Sequence, residues 1–454
     1  MLFTTTILLI ATTLSPSWAF TPPPSWEALQ STPSLTNRPS PPIYHDTLPE
    51  SIDSSLPVLY RDKDCICAAC ESVWLALEVK NVDYVTVLVD KNNASDDEQI
   101  MLPRISWPSS TTDDDSNKNN HDTTTTTTTD PVKLLEQIQS RYPDTAPQFY
   151  PPLSSAVDAS RCNIMRLPGV MPRNSDTNLM SYAPYLFRDD GTLVKPSSHA
   201  VSLEEVEEMQ EEYYLGDFLC GKAITAADII WAPYLERYAV QLPMVYRNKA
   251  RLNPRNRNVY GEVDNWYKVM EREVPAYSCR VMGDAKHWRK CLEVATKIHN
   301  ERAVGEEKRV SLPDVPADQS GWWVKKNSVA KAGEIWSEYC SQRPWLAPTP
   351  GGEVSLFMIR NREMIVDAAV AAASLGDCFD DENTADEALR EVIQVLLEWD
   401  VYFDQSSEEE TAQPLSESGL RMALFAAEEM IQVPRDLGMI PVGVLWEVIR
   451  SCDE

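Results

Sequence analysis

The stretch Leu59-Tyr60-Arg61-Asp62-Lys63-Asp64-Cys65-Ile66-Cys67-Ala68-Ala69-Cys70 sets a Cys-x-x-Cys pair where a short apolar strand gives way to a helix. Pro57 to Tyr60 reads as the strand. Cys67 to Lys80 reads as the helix, with Cys70, Val73, Trp74 and Leu77 on one face, and Tyr84 to Val89 alternates as a second strand. Together they predict a βαβ unit. A thiol at a helix N-terminus lies beside unpaired backbone N–H groups and the positive end of the helix dipole, which lowers its pKa and raises the thiolate fraction. Reactive chemistry is therefore expected at Cys67. Cys70, one turn further in on the apolar face, reads as core or as a resolving thiol.

Outward from this unit, Leu102-Pro103-Arg104-Ile105-Ser106-Trp107-Pro108 predicts a third strand opened by proline. The polar tract that follows, with its seven consecutive threonines, is expected to be a disordered insertion over 109–129. Pro131 to Tyr142, with Leu134, Leu135 and Ile138 at helical spacing, closes a first domain placed at 55–145, and Pro143 to Pro152 supplies a proline-rich linker. Helical periodicity then dominates: Leu203 to Leu215, Thr225 to Leu242, Asp264 to Val274 and Asp284 to Arg302 predict an all-α domain over 153–303. Thr225-Ala226-Ala227-Asp228 has the form of a capping box. The threonine hydroxyl is expected to accept from the third helical N–H while the aspartate reaches back to the cap N–H. A linker with one helix, Ser328 to Ser341, fills 304–352. A helical extension over 353–454 has pieces at about Val354 to Leu375, Ala385 to Phe403, Glu417 to Gln432 and Ile440 to Arg450.

At 454 residues and 43% hydrophobic composition, two or three domains are expected. With 69 acidic against 41 basic residues the formal charge is −28, which repels phosphate backbones and argues against nucleic-acid binding. Ten cysteines are scattered from Cys65 to Cys452, so they are not the framework of a small disulfide scaffold; most read as free buried thiols, in keeping with a reducing compartment. Zinc would need a fourth ligand beside Cys65, Cys67 and Cys70, and no metal is expected. The histidines sit in no nucleophilic-triad context. Trp231, Tyr234 and Tyr238 read as core, with a hydrophobic substrate pocket as the competing reading.

Met1 to Leu14 is apolar and Ser17-Trp18-Ala19 supplies small residues for a signal peptidase, so 1–19 reads as a cleaved signal peptide. No later run reaches the ~18–20 apolar residues of a membrane span. Residues 20–54, rich in Pro, Ser and Thr, read as a disordered transit or linker segment. With Ala19-Phe20-Thr21-Pro22 at the junction, the whole leader resembles the bipartite plastid presequence of algae with complex plastids. Secretion is the alternative, and Asn93-Ala94-Ser95 would then be a glycosylation sequon.

From Leu56 to Arg302 the chain resembles the glutathione transferase superfamily, specifically its cysteine-type omega, lambda and dehydroascorbate-reductase-like members. The resemblance rests on Cys67-x-x-Cys70 with Val73-Trp74-Leu75-Ala76-Leu77-Glu78 and on Leu102-Pro103. It rests further on Gly216-Asp217-Phe218-Leu219-Cys220-Gly221, Ile224-Thr225-Ala226-Ala227-Asp228-Ile229 and Trp231-Ala232-Pro233-Tyr234-Leu235-Glu236-Arg237-Tyr238. It implies a thioredoxin-like α/β N-terminal domain followed by the all-α glutathione-transferase domain, here with an additional α-helical region. By the same resemblance Cys67 forms a mixed disulfide with glutathione, Leu102 pairs its backbone with the ligand's cysteinyl part, Pro103 is a cis proline, and Asp130 meets the γ-glutamyl amine. Three positions depart from the family pattern. Pro131 replaces the serine that normally follows the acidic residue, Ala68-Ala69 replaces Pro-Phe or Pro-Tyr, and Cys65 adds a third thiol as a candidate resolving partner.

The implied function is glutathione-dependent thiol transfer, or reduction of a small hydrophobic or oxidised substrate, with glutathione as co-substrate. Thiol transfer is favoured over conjugation, because conjugation needs a hydroxyl donor to the glutathione thiolate and Tyr60 is placed within a strand. The alternatives are a catalytically weak scaffold that binds protein partners through its C-terminal helices, and a disulfide redox sensor. The family's usual homodimer is a further expectation.

Overall fold

A computed structural model describes residues 23–33, 35, 38–39, 43–45, 55–90, 102–108, 128–150, 217–219, 221–245, 253–258, 261–302, 329–372, 379, 381–403 and 415–452. The expected signal peptide, the Thr-rich tract up to residue 127, the sequon and the helix expected over Leu203 to Leu215 lie outside the described residues.

Four strands form one mixed sheet: β1 (Ile43–His45), β2 (Val58–Asp62), β3 (Val85–Val89) and β4 (Arg104–Ser106), in the order β1-β3-β2-β4. β2 and β3 run parallel, as the helical crossover between them requires, and β4 returns antiparallel to β2 with Leu59 opposite Ile105. Helix α2 (Ala68–Val79) makes the crossover, and α3 (Pro131–Arg141) lies beside it on the same face. Leu59 points into the core shared with these helices, whereas Val58 and Tyr60 face the other side of the sheet with Val85, Val87 and Val89. Among the described residues the sheet and these two helices match the expected thioredoxin-like arrangement.

The helical part begins with α4 (Ala226–Val245), followed by α5 (Gly261–Glu273), a π-turn at Tyr277–Val281 and α6 (Ala285–Arg302). The start of α4 is an aspartate hub. Asp228, fully buried, accepts from Thr225 N (2.8 Å), Leu219 N (2.8 Å) and Trp266 Nε1 (2.9 Å). The reach-back of the capping box is therefore present. The Thr225 hydroxyl, however, donates to the Asp228 carboxylate at 2.9 Å, so the sequence expectation for that hydroxyl is corrected. The carboxylate draws the hydroxyl proton because it is the stronger acceptor.

Beyond α6 come α7 (Val329–Cys340), α8 (Pro350–Arg360), α9 (Arg362–Ala372), α10 (Glu382–Phe403), α11 (Glu417–Phe425) with a π-turn at Ala426–Met430, and α12 (Met439–Ser451). The single helix expected over Val354 to Leu375 is two helices. At the junction Asn361 is the C-cap of the first helix, its backbone outside the helical region at φ −110° and ψ 16°, and its side-chain amide donates to the Phe357 carbonyl at 2.8 Å. One apolar core runs from Leu59 and Trp74 through Trp266 and Tyr277 to Leu389, Ile440 and Leu445. The C-terminal region thus shares its interior with the first two domains. A buried polar tie reinforces this: Glu78 on α2 accepts from Tyr339 Oη at 2.9 Å and Arg343 Nε at 3.2 Å, across the region expected to be a linker.

The segment 20–54 differs from the expectation of a disordered leader, because it carries α1 (Trp26–Gln30) and β1. Trp26 Nε1 donates to Asp386 Oδ1 (2.8 Å), Arg390 NH1 donates to the Pro23 (3.3 Å) and Pro24 (2.9 Å) carbonyls, and Leu29 is buried in the main core. A Pro-, Ser- and Thr-rich composition without apolar period conceals such a strap, because its few anchors are satisfied by residues more than 300 positions away.

Candidate functional site

The site is built where β2 runs into α2. Asp62, the last residue of the strand, gathers the connecting turn: its Oδ2 accepts from Ile66 N (3.0 Å) and Cys67 N (3.1 Å), and its Oδ1 from Asp64 N (3.1 Å). Cys65 takes up the left-handed backbone region at φ 53°, which lets the chain reverse into the helix. Cys67 is the N-cap of α2, with its Sγ accepting from Cys70 N at 3.3 Å. The expected thiol-at-helix-start geometry is present.

The Leu102–Pro103 peptide is cis, and Leu102 packs against the small cluster of Cys67, Ala69 and Cys70. The strand-opening loop therefore lies across the thiol pair. Asp130 is the N-cap of α3, and its Oδ1 accepts from Val132 N at 3.0 Å. Of the residues singled out from sequence, Cys67, Cys70 and Leu102 thus come together, Pro103 follows Leu102, and Asp130 caps its own helix.

Two expectations change at this point. Cys67, the thiol expected to be reactive, is only 4% exposed. Cys65 is a poor resolving thiol: its sulfur, buried and contacted by Arg61 NH1 at 2.8 Å, has its pKa pushed up to about 12, because burial outweighs the Arg61 charge.

Beneath the turn lies an ion pair that the sequence reading did not single out. Arg237 on α4, with no exposed surface, donates from NH1 to Glu71 Oε2 (2.5 Å) and the Pro233 carbonyl (2.6 Å), and from NH2 to the carbonyls of Cys65 (3.0 Å) and Ile66 (3.3 Å). Its guanidinium stacks on Trp288, 4.1 Å from the ring centroid. Burial pushes the Glu71 carboxyl up to about 7 against the opposing pull of Arg237. The one signal in the sequence was a Glu-Arg pair, Glu236-Arg237, within the apolar run from Ile229 to Tyr238.

Tyr234 is buried, and burial followed by the nearby Cys67 raises its hydroxyl pKa, with Cys70 adding to the effect. Trp231 and Tyr238 are buried beside it, in keeping with the core reading. His287 is held neutral, its pKa lowered to about 3 by burial and then by Arg237, with Nε2 at 3.5 Å from Cys291 Sγ. Tyr60 lies on the sheet face opposite α2, which removes it as a donor to a ligand thiolate at Cys67. Among the described residues no cluster of three or more His, Cys, Asp or Glu is arranged to hold a metal, and no helix is long and apolar enough to cross a membrane.

No known family profile matches the chain, and no curated protein is similar to it in sequence. Among solved structures it is similar to two glutathione transferases from Trametes versicolor. One is Omega 3C, at 15% identity over 54% of this chain and 92% of that one; the other is Omega 1C, at 15% identity over 56% of this chain and 100% of that one. The TM-score is 0.33 in both cases, a level of likeness that carries no weight for activity.

Proposed function

We propose that the chain is a glutathione-dependent thiol transferase of the cysteine type with Cys67 as its nucleophile. The observation that supports this reading is the Cys67 sulfur capping α2 beside Cys70 N, with Leu102 laid across the pair. The Cys67 thiolate attacks one sulfur of a glutathionyl disulfide. A Cys67–S–S–glutathione bond forms, the original S–S bond breaks, and the departing thiolate takes up a proton. A second thiol, from glutathione or Cys70, then attacks the mixed disulfide and returns Cys67 or leaves a Cys67–Cys70 disulfide. A small oxidised or hydrophobic compound is the second substrate.

Incubating the full chain with oxidised glutathione and measuring intact mass tests this. One glutathionyl group is expected on the unmutated chain, and Cys67→Ser is expected to lose it. An adduct that survives the substitution, or none at all, would sink the assignment. A scaffold with weak catalysis is then the better account, favoured by the low exposure of Cys67 and by the capping role of Asp130. Docking through the C-terminal helices is less favoured, because those helices bury their apolar faces in the shared core.

For localisation, the proposal is a plastid protein addressed by a leader, 1–19 with 20–54, that resembles a bipartite plastid presequence, with secretion as the alternative. Pro23 and Pro24 hold Arg390 and Trp26 holds Asp386, so cleavage after residue 54 would strip α10 of these partners. A fluorescent protein fused to the C-terminus of the full chain should accumulate in plastids, and its release into the medium would overturn the proposal.

A further inference from the structure

We propose that Arg237 is a positioning residue for the thiol, reaching from the helical domain to hold the Cys65–Ile66 turn and supplying the buried positive charge that favours the Cys67 thiolate. The inference rests on the reading of Cys67 as nucleophile. It goes beyond that reading by making the thiol's reactivity depend on a residue 170 positions away.

The geometry carries the argument. The two carbonyls that Arg237 NH2 receives, at 3.0 and 3.3 Å, belong to the two residues immediately before Cys67. The guanidinium is fixed on its other sides by Glu71, the Pro233 carbonyl and the Trp288 ring, so it cannot follow the turn if the turn moves. Burial lowers the guanidinium's own pKa, but Glu71 and Cys291, and then Cys67, raise it above the usual value; attraction between Arg237 and the Cys67 thiolate acts equally on both partners.

Other charged or titratable groups face the same turn. Arg61 and Asp62 end β2, Lys63, Asp64 and Cys65 belong to the turn, Cys70 and Glu71 to α2, and Tyr234 to α4. From α6 come His287 and Cys291, and Arg435 reaches Asp64 at 4.0 Å. Glu71 is the countercharge that matters, because it shares the NH1 of the same guanidinium. It offsets part of the field that Arg237 exerts on Cys67, and the two members of one ion pair should therefore act on the thiol in opposite directions.

The test is alkylation of the full chain with iodoacetamide across pH 5 to 10, following the Cys67 peptide by mass spectrometry. Arg237→Gln should move the midpoint of the Cys67 rate profile up by about one unit or more, and Glu71→Gln should move it down. Arg237→Lys, which keeps the charge but not the fork, should lie between Arg237→Gln and the unmutated chain. A merely structural ion pair would shift both Gln variants in one direction or leave the midpoint in place, and either result overturns the proposal. So does a Cys67 peptide that resists alkylation throughout in the unmutated chain. Should Arg237→Gln fail to fold, Glu71→Gln decides alone: a lowered midpoint supports the proposal, and an unchanged or raised one refutes it. Glutathione takes no part in the assay, so opposite shifts without a glutathionyl adduct would sink the proposed activity and leave the role of Arg237 standing.

Discussion

Asp228→Ala is expected to cost about 3 kcal/mol or more of folding stability, seen as a lowered urea midpoint of the full chain. The carboxylate takes bonds from two backbone N–H groups, a hydroxyl and an indole, with no exposed surface of its own, and its removal leaves all four donors unpaired in the interior. Burial raises the Asp228 pKa although those bonds pull it down, which marks how dry the site is. Asp228→Asn should be nearly as damaging, because the new amide would present N–H to groups that themselves donate. Thr225→Ala, which leaves the other three donors to Asp228 paired, should cost about 1 kcal/mol. Comparable losses from Thr225→Ala and Asp228→Ala would contradict the hub description. The hub matters to function because it anchors the start of α4, the helix that brings Tyr234 and Arg237 to the thiol turn.

The second large effect is at Gly438, the N-cap of α12. A Cβ there would stand 1.5 Å from the Cys279 carbonyl oxygen and 2.1 Å from its carbon, both backbone atoms of the π-turn in the helical domain. Neither can rotate away, so Gly438→Ala must push α12 off the π-turn, at an expected cost of about 3 kcal/mol or more. The control is Gly333→Ala within α7. A Cβ at that position meets nothing within 4 Å, and the change should leave stability unaltered or raise it by about 0.5–1 kcal/mol. Equal midpoints for the two variants would mean that the C-terminal region does not seat against the helical domain as described.

Legibility from sequence followed the range of the interactions involved. The strand-helix-strand unit could be read because alternation and helical spacing are local properties of Val58–Val89, and the cap at Cys67 because the residue and its N–H partner are three positions apart. The reach-back of Asp228 to Thr225 was legible for the same reason, whereas its bonds to Leu219 and Trp266 were not. The break at Asn361 was not legible because the apolar pattern continues across it, while the backbone leaves the helical region at that one residue. Composition misled at 20–54, where a few anchors outweigh a polar, proline-rich context.

The sequence by itself determined β2, α2, β3 and β4, the later helices apart from the break at Asn361, and which thiol caps a helix, since neighbours along the chain decide periodicity, turn chemistry and caps. Tertiary structure alone decided that the C-terminal helices share the core, that Cys65 is buried beside Arg61, and that Arg237 lies under the thiol turn. Which of many possible partners a buried charge or apolar face meets depends on how whole elements pack, and no local pattern encodes that choice.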